Sequence, residues 1–137
     1  MRLLCDTNVL LDVVLHREPF FDASYLALNY CEDESVTGLV ADTSLTDLFY
    51  ITHHALHDNE LSYQALEAAL EILSPVSPTS EDIASAIKER RRDFEDALLA
   101  KIAERESCDY LITRNVKDFK GYSFKAISPA DFVKLAL

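Results

Sequence analysis

Short runs that stay apolar at successive residues alternate along this chain with stretches of helical periodicity. No other feature constrains the fold as much. RLLC (2–5), SVTGLV (35–40) and YLIT (110–113) are too short for helices and read as strands buried on both faces, and KAI (125–127) is a weaker run of the same kind. Between them, VLLDVVL (9–15) reads as the start of a helix. A second helix follows Pro19 through Phe20, Phe21, Tyr25, Leu26 and Leu28, with the proline near its first turn, where no backbone donor is needed. A long helix runs from Asp42, where aspartate suits the N-cap, and another from Glu60 to about Leu73. After the extended SPVSP, Thr79 or Ser80 caps a helix to about Lys88, Asp93 opens the one carrying DALLAKIAE, and Pro129 starts the last.

Strands separated by helices make an α/β protein with a central parallel sheet covered by helices. The 137 residues suit a single domain, 1–137, and with 49% of them hydrophobic such a chain buries roughly two-thirds of its unfolded surface. Two glycines and four prolines leave little room for long loops. No run approaches the roughly 18 apolar residues of a membrane span. Cys5, Cys31 and Cys108 are odd in number and far apart, which argues against a disulfide framework and suits a reducing cytoplasm; Cys5 and Cys108 read as small buried hydrophobes.

The net charge of −11 argues against a generally nucleic-acid-binding surface, but it is unevenly spread. Residues 1–87 hold 2 Lys+Arg and 15 Asp+Glu, a balance of −13, and residues 88–137 hold 11 and 9, a balance of +2. Most of the positive charge therefore lies in the last third, beginning with KERRR (88–92).

In open parallel sheets, sites form beyond the carboxyl ends of the strands. Asp6 stands just past the end of the first strand, and Thr113 to Asp118 just past the end of YLIT. Asp47 lies inside a helix, where aspartate is a poor helix former, with Tyr50 and Ile51 one turn on. Asp93 and Asp96 are three apart, about 60° around a helix, so Asp93 serves as N-cap with Asp96 completing a capping box. Asp96 also heads a small apolar face of Leu99, Ala100 and Ala103. Glu95 precedes Leu98, Leu99 and Ile102 in the same way, and helical geometry does not choose between the two acids. Asp12, in the first helix, reads as a surface residue in preference to an acid that supports the site from behind. Asp6, Asp47, Asp96 and the Asn115–Asp118 turn would form an acidic pocket that requires a cation, and all-oxygen carboxylate pockets suit Mg²⁺ or Mn²⁺. Metal-assisted phosphodiester hydrolysis is the chemistry such a pocket implies.

The ordered set LLCDTNVLLD, DTSLTDLFYI, DFEDALLAKIAE and CDYLITRNVKDF, ending with ISPADFVKL, resembles PIN-domain ribonucleases, especially the VapC-type toxins of toxin–antitoxin pairs. The resemblance implies a three-layer α/β/α sandwich and an Mg²⁺- or Mn²⁺-dependent endoribonuclease leaving 5′-phosphate and 3′-hydroxyl ends. It implies that Asp6, Asp96 and Asp118 bind metal, with Asp47 a further ligand or water-positioning acid, and it selects Asp96 over Glu95. Asn8, Thr113 and Asn115 would support the site by hydrogen bonds, Asn115 standing where many members carry an aspartate. Arg90, Arg91, Arg92, Arg114, Lys117 and Lys120 become candidates for the RNA backbone, and a homodimer held inactive by a separate antitoxin is the implied assembly.

Two other chemistries fit less well. A haloacid-dehalogenase-like phosphatase wants a second acid where this chain has Asn8, and a zinc site from His53, His54 and His57 lacks a further ligand and the H-E-x-x-H pattern. A PIN-like domain that binds RNA or protein without cleaving is the main alternative.

Overall fold

A computed structural model describes all residues 1–137. Five strands, β1 (Arg2–Cys5), β2 (Thr37–Ala41), β3 (Ser74–Val76), β4 (Tyr110–Ile112) and β5 (Lys125–Ile127), form one parallel sheet in the order β3-β2-β1-β4-β5. Seven helices connect and cover them: α1 (Thr7–Val14), α2 (Phe21–Tyr30), α3 (Asp42–Leu56), α4 (Asn59–Ile72), α5 (Ser80–Glu89), α6 (Phe94–Arg105) and α7 (Pro129–Ala136).

The period-2 alternation of each strand builds two cores. Leu3, Cys5, Val40, Ile112 and Ile127 point to one face, where they meet Val9 and Leu10 of α1, Leu28 of α2, Leu48 of α3, Ala69 of α4 and Phe132 of α7. Leu4, Leu39, Ala41 and Leu111 point to the other, where Ala86 of α5 and the Ala97–Ala103 stretch of α6 lie on them. Three alanines without exposed surface, Ala97, Ala100 and Ala103, let α6 approach the sheet closely. The result is the α/β/α sandwich expected from the alternating runs. Close packing also explains Gly38 in β2, since a Cβ there would come within 2.8 Å of both Cys31 Cβ and Leu73 Cδ2.

Helix starts follow local chemistry. Thr79 and Asp82 form a complete capping box on α5, and the Ser128 hydroxyl accepts from Asp131 N at the start of α7, with Pro129 as its first residue. Three readings need correction. Asp42 is not an N-cap: Ala41 holds that position, and the Asp42 carboxylate accepts instead from Ser77 Oγ at 2.5 Å. The helix after Pro19 begins at Phe21, with Phe20 as its N-cap rather than within it. Asp12 is not on the surface but entirely buried. His57 ends α3 in the left-handed region, as a polar helix end. No helix is long and apolar enough to cross a membrane, and Cys5, Cys31 and Cys108 are free and buried.

Candidate functional site

Because the sheet is parallel and β1 is its central strand, the carboxyl ends of β1 and β4 open side by side, and Asp6 leaves the sheet there. Its backbone N still donates to Ile112 O across the β1–β4 pair at 2.9 Å. Its carboxylate is the N-cap of α1, with Oδ1 accepting from Thr7 N at 2.7 Å. Oδ2 accepts from Thr113 Oγ1 at 2.8 Å and from Asn8 Nδ2 at 3.3 Å. Asp6 thus both caps a helix and presents a carboxylate at the sheet edge. Burial pushes its pKa up and Asp93 adds to the rise, while the donors from Thr113, Thr7 and Asn8 pull it back.

Opposite stand the acids of α3 and α6. Asp93 caps α6 by accepting from Asp96 N at 3.0 Å, without the reciprocal bond that a capping box needs. The first turn of α6 then projects both Glu95 and Asp96 toward Asp6. Asp96 is pushed up to about 6, first by burial and then by the charges of Asp93, Asp6 and Asp118, with Arg91 opposing. Glu95 is pushed up to about 8 by a hydrogen bond shared with Asp47 and by partial burial, with Asp93 and Asp6 adding to the rise. Asp96 lines the cleft with Asp118, while Glu95 is coupled to Asp47 and feels Asp6 as well.

The third component is the turn after β4. Thr113 is fully buried, and its Oγ1 also accepts from Asn115 N at 3.0 Å. Asn115 itself is exposed and leads into a short 3-10 turn, Val116–Asp118. Arg91, from the connection between α5 and α6, donates to the Asp118 carbonyl and to the Tyr122 hydroxyl, which in turn donates to Glu89 at 2.7 Å. Arg91, Arg92, Asp93, Asp96 and Asp118 line a polar cleft of about 390 Å³.

The basic candidates divide sharply. Arg90, Arg92, Lys117 and Lys120 are exposed, whereas Arg91 is tied to the Asp118 turn and Arg114 to Asp12. Reading one helix at a time misplaces Asp12. Its signal was the wholly apolar company of VLLDVVL, which leaves a carboxylate no solvated side.

No three His, Cys, Asp or Glu side chains stand close enough together to form a metal-ligand group. The acids lie near enough to raise one another's pKa but do not make a ready-built cage. Their chemistry nevertheless fits a divalent cation: the donors are all oxygen, and like charges beside Asp96 and Glu95 that help push both pKa values up are what a cation relieves.

The PIN domain family model matches residues 2–117. No curated protein matches the chain. Among solved structures, VapBC2 from Rickettsia felis, bound to a DNA fragment from its promoter, is similar with a TM-score of 0.71 at 19% identity, covering 93% of this chain and 98% of that one. DNA-bound VapBC from Salmonella typhimurium gives 0.71 at 14% identity, covering 94% and 98%. VapC20 from Mycobacterium tuberculosis, a sarcin–ricin-loop-cleaving toxin, gives 0.69 at 10% identity, covering 85% and 92%. At these identities the likeness is one of fold, while the family model spans most of the sequence. The chain belongs to the PIN domain family.

Proposed function

We propose that this chain is a metal-dependent endoribonuclease and the toxin of a toxin–antitoxin pair. The observation that carries the reading is the cleft lined by Asp93, Asp96 and Asp118 beyond the strand ends, with Asp96 raised to about 6 by burial and by the charges of Asp93, Asp6 and Asp118. Such an arrangement costs stability unless positive charge enters it. Asp6, Asp96 and Asp118 would hold Mg²⁺ or Mn²⁺. The bound ion would polarise a phosphodiester and ease deprotonation of water.

The chain's own residues supply the rest. Thr113, Asn8 and the amide of Thr7 fix both Asp6 oxygens, so that carboxylate is oriented before any ligand arrives. Glu95, raised to about 8 first by its hydrogen bond with Asp47, would hold a water and take up its proton. Arg90, Arg92, Lys117 and Lys120 are exposed, with Arg92 lining the acidic cleft, and would offer positive charge to the phosphates of an RNA strand. The fold relatives crystallised as VapBC complexes support a separate antitoxin as partner, and the homodimer rests on the family resemblance alone. Free cysteines accord with a cytoplasmic setting.

A second reading, a PIN domain that binds without cleaving, has specific support. Asn115 carries no charge where many family members carry an aspartate, and the acids are not preassembled into a ligand group. Cleavage of a labelled structured RNA pool in Mg²⁺, Mn²⁺ or EDTA separates the two. The nuclease makes cuts with 5′-phosphate ends that disappear in EDTA and in folded Asp6→Asn and Asp96→Asn variants. A silent wild type that also binds no Mn²⁺ by calorimetry leaves the binding module.

A further inference from the structure

We propose that Asp12 and Arg114 are positioning residues that set the turn carrying Thr113, Asn115 and Asp118 against Asp6, a role that rests on the nuclease reading of the same site. The pair joins residues 102 apart in sequence. Arg114 Nε donates to Asp12 Oδ2 at 2.9 Å, and Ser24 Oγ of α2 donates to the same oxygen at 3.0 Å. The Asp12 side chain has no exposed surface and that of Arg114 is 27% exposed, with its Cζ 4.0 Å from the Phe20 ring centroid. A guanidinium seated between a buried carboxylate and an aromatic face is held by charge, by hydrogen bond and by stacking together.

This engagement decides what Arg114 does. Its side chain points from the turn back into α1 and α2, and its charge is spent on Asp12. Its backbone N donates to Asn8 Oδ1 at 3.3 Å, and Asn8 Nδ2 reaches Asp6. On one side of it Thr113 donates to Asp6, and on the other Asn115 N donates back to Thr113 Oγ1. Displacing Arg114 therefore moves two donors of the Asp6 carboxylate and the start of the 3-10 turn that ends at Asp118.

The pair is not required to bring α1 and β4 together. Val9, Leu10 and Leu11 already pack in one core with Ile112. The turn itself has less apolar support: Asn115 and Lys117 are exposed, and Asp118 is held by short-range backbone bonds, by Arg91 and by the buried Phe119 that follows it. Asp12 anchors one end of that turn and Arg91 the other.

The test compares wild type with Arg114→Lys, Asp12→Asn and the doubly neutral Asp12→Asn/Arg114→Gln, by amide hydrogen exchange and by steady-state RNA cleavage in Mn²⁺. Exchange at Asn115 and Asp118 accelerates at least about tenfold in every variant while Leu4 and Leu111 keep their protection. Then kcat falls about 10²-fold, as a misplacement of roughly 1 Å produces, with KM and its salt dependence unchanged. Arg114→Lys, which keeps the charge but loses the fork and the stack, recovers only part of the loss. A raised KM with a shallower salt slope overturns the proposal in favour of a phosphate contact. Exchange accelerated throughout the chain overturns it in favour of a general structural role. A wild type that cleaves nothing defeats the nuclease reading alone, and the exchange pattern still decides the anchoring of the turn.

Discussion

The two banks of the acidic cleft are built on opposite principles. On the β1 side, carboxylates meet donors: Asp6 has Thr7, Asn8 and Thr113, and Asp12 has Ser24 and Arg114. On the α6 side, carboxylates meet carboxylates: Asp96 faces Asp93, Asp6 and Asp118, and Glu95 faces Asp47. The first bank is held by donors from within the fold, although Asp12 Oδ1 is buried without a partner. The second carries a charge deficit that only protons or cations remove. One fold thus combines a fixed reference carboxylate with a set of acids left unsatisfied, a division that suits binding an ion in a defined place.

The comparison breaks most directly at Thr113. Thr113→Val keeps the shape but removes a donor from a buried carboxylate and an acceptor from Asn115 N, and a hydrogen bond to a charged group contributes about 1.5–3 kcal/mol. Urea unfolding at pH 7 is expected to show a loss of that size. An unchanged midpoint would mean that the donors on the β1 side do not hold it.

The second bank responds in the opposite sense. Folding raises Asp96 from 3.8 to about 6 and Glu95 from 4.5 to about 8. For acids raised in the folded state, the native protein binds more protons than the unfolded chain, so their contribution is favourable at low pH and is lost as pH rises through the folded values. Metal-free protein therefore melts progressively lower between about pH 4 and pH 8 from these two groups. Asp96→Asn removes part of that slope and stabilises the protein in EDTA at pH 8, raising its melting temperature, by less than about 1 kcal/mol because solvent screens a half-exposed acid. Added Mn²⁺ flattens the same slope in wild type. If scanning calorimetry shows the variant no more stable than wild type at pH 8, the α6 acids are not frustrated.

Much of this fold was legible from the alternation of apolar runs and helical stretches. RLLC and YLIT became β1 and β4 because few other conformations bury short segments apolar on both faces, and the weaker KAI became the edge strand β5, with Lys125 exposed and Ile127 buried. Helix starts marked by Thr79, Asp93 and Pro129 were legible for the same local reason. Asp42 misled because its partner, Ser77, is 35 residues away and drew the carboxylate from the capping position. Asp12 misled because a buried charge is explained only by Arg114, 102 residues on. Glu95 stayed ambiguous because helix geometry gives a direction, while its proton is set by Asp47 on another helix. Local chemistry is readable from one chain; the pairing of distant charges requires the packed molecule.

The smallest expected effect separates cations used inside the fold from those left outside. Arg91 and Arg92 are adjacent and line the same cleft, yet Arg91 is bound to the Asp118 carbonyl and Tyr122 while Arg92 is exposed. Arg92→Ala should weaken RNA binding modestly and reduce the slope of log affinity against log salt by about 0.7, the amount expected for one single-strand phosphate contact. Arg91→Ala should leave that slope alone, because its charge already has partners in the protein, and should act instead on the placement of Asp118. Filter binding across a salt series, with the catalytically disabled Asp96→Asn background to prevent cleavage, reads the slopes directly. Equal slopes for the two variants would mean that Arg91 leaves its internal partners to meet the phosphate, and the α6 bank would then be more mobile than its hydrogen bonds imply.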